Sequence, residues 1–147
     1  MDNIEILIHS YLRWIVCFGM LTNLALVYYG YFFDKKFTSF NRIYSHSTVG
    51  FVHAQALSGL ILYYNSELTS VFLSNIGENI KNAELRFFSL EHSLLMFIAI
   101  VLITIGSFKA KRIQGDKNKF KTLMIYLTLG TVIMLFAIPW KMRALFL

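Results

Sequence analysis

The sequence predicts an all-α protein, a four-helix transmembrane bundle with its N-terminus and C-terminus both on the non-cytoplasmic side. Three observations carry this reading. The chain of 147 residues is 56% hydrophobic and only 15% charged, with a positive mean hydropathy of +0.57, well above the apolar share of an ordinary soluble domain. Its apolar residues fall into four runs, approximately 7–33, 44–64, 87–108 and 123–142. Its Lys and Arg gather in two of the three loops between those runs.

A helical span needs roughly 20 mostly apolar residues to cross a hydrocarbon core of about 30 Å. Four spans and their loops use nearly all of 147 residues, so a single transmembrane domain is expected, with no soluble domain beside it. Helices are the only workable element, because a four-stranded sheet could not close into a barrel and would leave backbone groups unpaired in lipid. The net charge of +6 does not indicate a nucleic-acid partner, because it is concentrated in short loops as a topology signal. One cysteine, Cys17, lies inside the first run, so it reads as packing and no intrachain disulfide is possible.

The first run reads from Trp14 to Phe33, with helix starting as early as Ile4. The acidic start Met1-Asp2-Asn3-Ile4-Glu5 lacks the basic region of a secretory signal, so this helix is expected to remain in the protein. The second runs from Tyr44 to Tyr64, the third from Phe87 to Phe108 and the fourth from Leu123 to Trp140. The single proline, Pro139, falls at the end of the fourth, where a lost N–H costs little. Aromatic residues cluster at run ends, as interfacial belts do: Trp14, Tyr28, Tyr29, Tyr31, Tyr44, Tyr63, Tyr64 and Trp140.

Orientation follows from the loops. The first carries Lys35, Lys36 and Arg42, and the third carries Lys109, Lys111, Arg112, Lys117, Lys119 and Lys121. These are expected to face the cytoplasm. The opposite side has Lys81, Arg86, Lys141 and Arg143, with Arg13 at its boundary, together with Asp2, Glu5, Glu67, Glu78 and Glu84. The second loop, about 65–85, is the longest, and its middle, 68–76, is apolar enough to lie along the membrane surface as a short helix.

Ionisable groups inside spans cost about 2.5 to 3.5 kcal/mol near the centre on insertion scales, so each asks for a partner or a function. His9 and Arg13 lie one helical turn apart in the first run. His46 and His53 share a face of the second, and Glu91 and His92 lie near the start of the third with Met96 one turn below. A rise of about 1.5 Å per residue puts His92 roughly 7 to 8 Å below the outer edge and His53 roughly 16 Å below it. Helix tilt is expected to reconcile these depths, so that His53 and His92 flank one flat ligand while His9 replaces either or caps the site. His46 lies nearer the cytoplasmic face and is left out. Met96 reads as packing.

Imidazoles on facing helices of an apolar bundle suit haem iron, zinc or copper. Haem b fits best. Its macrocycle gains from the lipid-like interior, and its propionates need cations at the surface, where Arg13, Arg86 and Arg143 fall. The alternative is a copper site on His9, His53 and His92. Glu91 reads as an ion-pair partner of Arg13 or Arg86, or as a hydrogen-bond acceptor behind a histidine. No GxSxG, P-loop, HExxH or paired cysteine supports hydrolysis or nucleotide chemistry. A proton or quinone site from Glu91, His92 and Arg13 stays open.

With these residues in hand, the chain resembles a group of small four-span bacterial membrane proteins labelled "cytochrome B". The matching segments are His9-Ser10-Tyr11-Leu12-Arg13-Trp14, His53-Ala54-Gln55 with Gly59 and Leu62-Tyr63, Arg86-Phe87-Phe88 with Glu91-His92 and Met96, and Pro139-Trp140 with Arg143. The resemblance covers almost the whole chain and marks His9, Arg13, His53, Glu91, His92 and Arg143 as the family's polar positions. It implies b-type haem and electron transfer. Helical spans point to the bacterial inner membrane, with multiple passes, and the chain is expected to act alone, as a homo-oligomer, or as a subunit of a larger respiratory complex with a redox partner. A structural membrane subunit without cofactor is the other expectation.

Overall fold

A computed structural model describes residues 2–140, all helix and connecting turns, with no strand among them. Four long helices dominate. Helix α1 spans Asp2–Phe32 and α2 spans Ser39–Asn65. Three short helices follow, α3 at Glu67–Ser74, α4 at Ile76–Asn79 and α5 at Ala83–Arg86. A π-helical turn at Phe87–Glu91 joins α5 without a break to α6, His92–Arg112, and α7 covers Asp116–Ala137.

Neighbours in the chain are neighbours in space: α1 packs on α2, α2 on α6 and α6 on α7, and α7 closes the ring against α1. The buried stripes of α1 and α7 alternate spacings of three and four, Val16, Met20, Asn23, Val27 and Gly30 on one and Phe120, Leu123, Leu127, Gly130, Met134 and Ala137 on the other; Gly30 meets Phe120 across the α1–α7 seam, while Gly130 meets Ile103 of α6 and Asn23 meets Ser45 of α2. That spacing is the one expected of helices crossing at a shallow angle. Phe120 is the largest fully buried side chain among the described residues. It fits because α1 carries Gly30 opposite, where any Cβ would overlap its ring.

The outer surface is apolar. Phe18 is 70% exposed, Phe97 65% and Phe136 80%, a pattern that calls for lipid rather than water around the bundle. Among the described residues, three helical segments are long and apolar enough to cross a membrane, Ile4–Phe32, Ala83–Arg112 and Asp116–Ala137. Helix α2 has the length, at 27 residues, but its polarity sets it apart. Asn41, Arg42, Ser45, His46, Ser47, Thr48, His53, Gln55 and Ser58 all lie along it.

The helix ends differ from the apolar runs for local reasons. Helix α2 starts ahead of Tyr44 because Thr38 forms a capping box with Asn41, the hydroxyl accepting from the Asn41 N–H. Helix α7 starts at Asp116, directly after Gly115, whose φ of +85° ends the preceding turn in a conformation glycine adopts without strain. It ends at Ala137, short of the expected 142. Ile138 precedes proline and is extended, at ψ 131°, because proline crowds out the helical conformation of the residue before it. The short surface helix expected within 68–76 is α3, which buries Thr69 and Phe72 and exposes Val71 and Leu73.

One end of the bundle, the basic end, joins the α1–α2 and α6–α7 loops. They are tied together by an ion pair of 2.6 Å between Lys117 Nζ and Asp34 Oδ1. The other, terminal end gathers the start of α1, α3 to α5, and the end of α7.

Candidate functional site

The site at the terminal end starts from Pro139. A proline has no N–H to give the carbonyl four residues back, so Leu135 O is left over. The Trp140 indole Nε1–H donates to it at 2.8 Å. A further carbonyl of the last turn, Ala137 O, accepts from His92 Nδ1 on α6 at 2.8 Å. A carbonyl can only accept, so Nδ1 carries the ring proton and Nε2 carries the lone pair. A backbone carbonyl holding Nδ1–H and fixing the ring is the usual arrangement behind a metal-ligating histidine.

His9 on α1 is held in the same tautomer by α2. The Ser58 hydroxyl donates to Gln55 O at 2.8 Å, so its oxygen accepts from His9 Nδ1–H at 2.9 Å. Gln55 Nε2 donates to His9 O at 3.0 Å and stands 3.1 Å from His9 Nε2 and 3.2 Å from Nδ1, so the Nε2 lone pair already accepts from the Gln55 amide and a ligand on it would displace that donor. Gly59 leaves room for the ring, since a Cβ there would stand 3.1 Å from His9 Cε1. His9 and His92, on opposite sides of the ring of helices, are within electrostatic reach of each other, and Arg13 is within reach of both. The Arg13 guanidinium also lies over the Trp14 ring at 5.5 Å, and Trp14 meets Trp140 edge to face at 6.5 Å.

Glu91 pairs with Arg86, Nε to Oε1, at 2.6 Å. These residues are five apart, a separation that the wider π turn brings to one face. The His92 N–H bonds to Phe87 O in the same five-residue pattern, and Arg86 Nη1 donates to Ile80 O at 3.0 Å. Arg86 thus ties the loop to the start of α6, with its side chain still 37% exposed. Arg143 lies outside the described residues.

His53 is not beside His92. Its Nε2 meets Thr104 Oγ1 at 2.9 Å. Thr104 lies twelve residues further along α6 than His92, roughly 18 Å at the helical rise. The depth argument from sequence put the two only roughly 8 to 9 Å apart, because it set the outer ends of both runs at one level, whereas α2 packs on α6 with His53 level with Thr104. His46 lies deeper still, with Nδ1 3.1 Å from Ser107 Oγ. A three-histidine set of His9, His53 and His92 is therefore not assembled, and among the described residues no three His, Cys, Asp or Glu side chains gather as a metal site.

Sequence reasoning missed the partners rather than the histidines. Ser58, Thr104, Ser107 and the Ala137 carbonyl each meet a histidine on a neighbouring helix. The available signal was the hydroxyls spaced through α2 and α6. A further buried pair, Ser45 Oγ donating to Asn23 Oδ1 at 2.9 Å, joins α1 to α2. No protein-family model, curated protein or solved structure matches the chain.

Proposed function

We propose that this chain is a four-span protein of the bacterial inner membrane that takes a b-type haem near its external end, where His92 and His9 are the residues that would hold it. The observation that carries the reading is the His92 Nδ1–H bond to Ala137 O, which leaves Nε2 as a preset donor. The donor set suits haem in part. Two imidazoles and Arg13 lie together at the terminal end, whereas His53 belongs to another depth and the pair His53 and His92 does not suit one iron. A bound haem supplies one-electron chemistry. The protein's own residues fix the ring of His92, keep Arg13 near both imidazoles and line the surroundings with apolar helices. Such a protein passes electrons to a redox partner or serves within a larger respiratory assembly.

Four spans are supported by the α1–α2 packing. Thr22 meets Tyr44 near the basic end of this pair, and Glu5 meets Asn65 at the terminal end. A polar α2 bound to α1 along that length shares its depth. The clustering of Lys35, Lys36, Arg42 and the six cations of 109–121 at one end supports a cytoplasmic basic end.

An absorption spectrum of the purified full chain tests the haem reading. A Soret band with a sharp reduced α band, lost in His92→Ala and kept in His53→Ala, is the expected result. A colourless protein overturns it. The second reading is a structural membrane subunit without cofactor, and one observation favours it: every histidine is bonded to a residue on an adjacent helix. Copper on His9 and His92, with Met96 one turn away, is the remaining possibility if the protein is colourless in its reduced state but carries metal.

A further inference from the structure

The basic end holds a cavity of about 320 Å³, within the ~300–1,000 Å³ range of small-ligand sites. It lies between α2, α6 and α7, at the opposite end of the bundle from His92. Three of its lining residues are cations, Arg42, Lys111 and Lys119, and no carboxylate lines it. The nearby acid Asp34 is committed to Lys117, and among the described residues none of the three cations has an ion pair. His46 and Ser107, already bonded to each other, form part of the wall, and His46 is within electrostatic reach of both Lys111 and Arg42.

Helix α2 adds donors. Thr38 and Ser39 line the same cavity, and the Thr38 cap accepts only the Asn41 N–H of the first turn, which leaves the preceding N–H groups for another acceptor. Three positive charges around one space repel each other, and an anion between them relieves that repulsion. Hydroxyl, guanidinium and ammonium donors lining one space, with Lys119 Nζ lying over the Phe37 ring of the same wall, match a phosphate.

We infer that this cavity is a phosphate site, taking the anionic headgroup of a phospholipid in the adjoining leaflet or a soluble phosphate. Basic pockets between membrane helices are suited to anionic headgroups. The lipid source rests on the chain spanning a membrane as proposed above; the phosphate chemistry does not. Neither depends on haem.

The test uses the full chain in a neutral detergent, with native mass spectrometry and thermal stability read together. The probes are short-chain phosphatidylglycerol, matched phosphatidylcholine and inorganic phosphate. Retention of phosphatidylglycerol over phosphatidylcholine, falling roughly fivefold for each cation removed in Arg42→Gln, Lys111→Gln and Lys119→Gln, supports the site with lipid as its source. Stabilisation by inorganic phosphate without preference between the two lipids supports it with a soluble source. Wild-type protein that prefers neither phosphatidylglycerol nor phosphate overturns it, and this arm needs no variant to fold. A preference that survives all three single substitutions, or that falls equally in a Lys35→Gln, Lys36→Gln control, also overturns it, because the cavity cations would then be no different from the rest of the basic end.

Discussion

His92 Nδ1 and Ala137 O, 45 positions apart in the chain, meet at 2.8 Å where α7 stops for Pro139. The bond does two things at once. It closes a carbonyl that the helix end left open, and it decides which ring nitrogen of His92 carries the proton.

That tautomer is directly measurable. Nitrogen-15 spectra of the full chain in detergent, without cofactor, are expected to show His92 protonated at Nδ1. His92→Ala removes the donor to Ala137 O and is expected to destabilise the bundle by ~1–3 kcal/mol, the cost of a buried acceptor left unpaired. A neutral ring protonated at Nε2, or an unchanged unfolding midpoint for the variant, would sink the assignment.

His46 and His53 serve a different interface. Both join α2 to α6 through hydroxyls, at Ser107 and Thr104. Hydrogen bonds of this kind between membrane helices average ~0.6 kcal/mol, so His46→Ala and His53→Ala should each lower stability only slightly. A double-mutant cycle of His53→Ala with Thr104→Val is expected to show coupling of that order, and none is expected between His53→Ala and His92→Ala.

The sequence made the four apolar runs and their histidines legible because both signals are local. Twenty apolar residues in a row, or an imidazole among leucines, can be read without knowing what lies opposite. The pairing of histidines was not legible. His53 and His92 differ in depth because α2 packs on α6 with His53 level with Thr104, a register that the average hydropathy of neither helix records. Likewise, Pro139 marks the end of the last run in sequence, but only the fold shows that Trp140 and His92 take up the carbonyls beside it.

Glu91 offers a choice that a thermodynamic cycle resolves. Its partner is Arg86, in a pair with side chains 37% and 42% exposed, so the interaction should be worth ~0.2–1 kcal/mol after solvent screening. Unfolding measurements on Arg86→Gln, Glu91→Gln and the double variant are expected to give that coupling. The same cycle with Arg13→Gln should give less, and a larger coupling to Arg13 would reassign the pair.

Close packing of α6 on α7 predicts an asymmetry among glycines. A Cβ at Gly106 would overlap Cβ of Tyr126, whereas nothing lies within 4 Å of a Cβ at Gly50. Gly106→Ala is expected to cost ~1–3 kcal/mol by overpacking, and Gly50→Ala to stay within ~0.5 kcal/mol of the parent. Equal thermal midpoints for the two variants would contradict the α6–α7 interface described here.

Topology has its own check. A reporter fused after Gly115, in the α6–α7 loop, should read cytoplasmic, and one fused after Gly77, in the α3–α5 region, should read external. The reverse pattern would place the His92 site and the basic cavity on exchanged sides.

The π turn acts as a phase shift between two parts of the molecule. It inserts one residue into what would otherwise be a continuous α-helix from Ala83 to Arg112, and one residue is about 100° of helical rotation. Deleting a residue from Phe87–Glu91 would leave Arg86 and Glu91 four apart, still able to pair on an α-helix, yet would swing α5 and the loop before it around the axis of α6. The ion pair would outlast the change. The cover built from α3 and α5, whose Phe72 is buried and whose Leu68 carbonyl accepts from Ser89, would lose its seat. A length change of one residue at this point therefore separates two properties that every point substitution leaves joined: local pairing at the helix start, and the direction in which the chain leaves the membrane-embedded bundle.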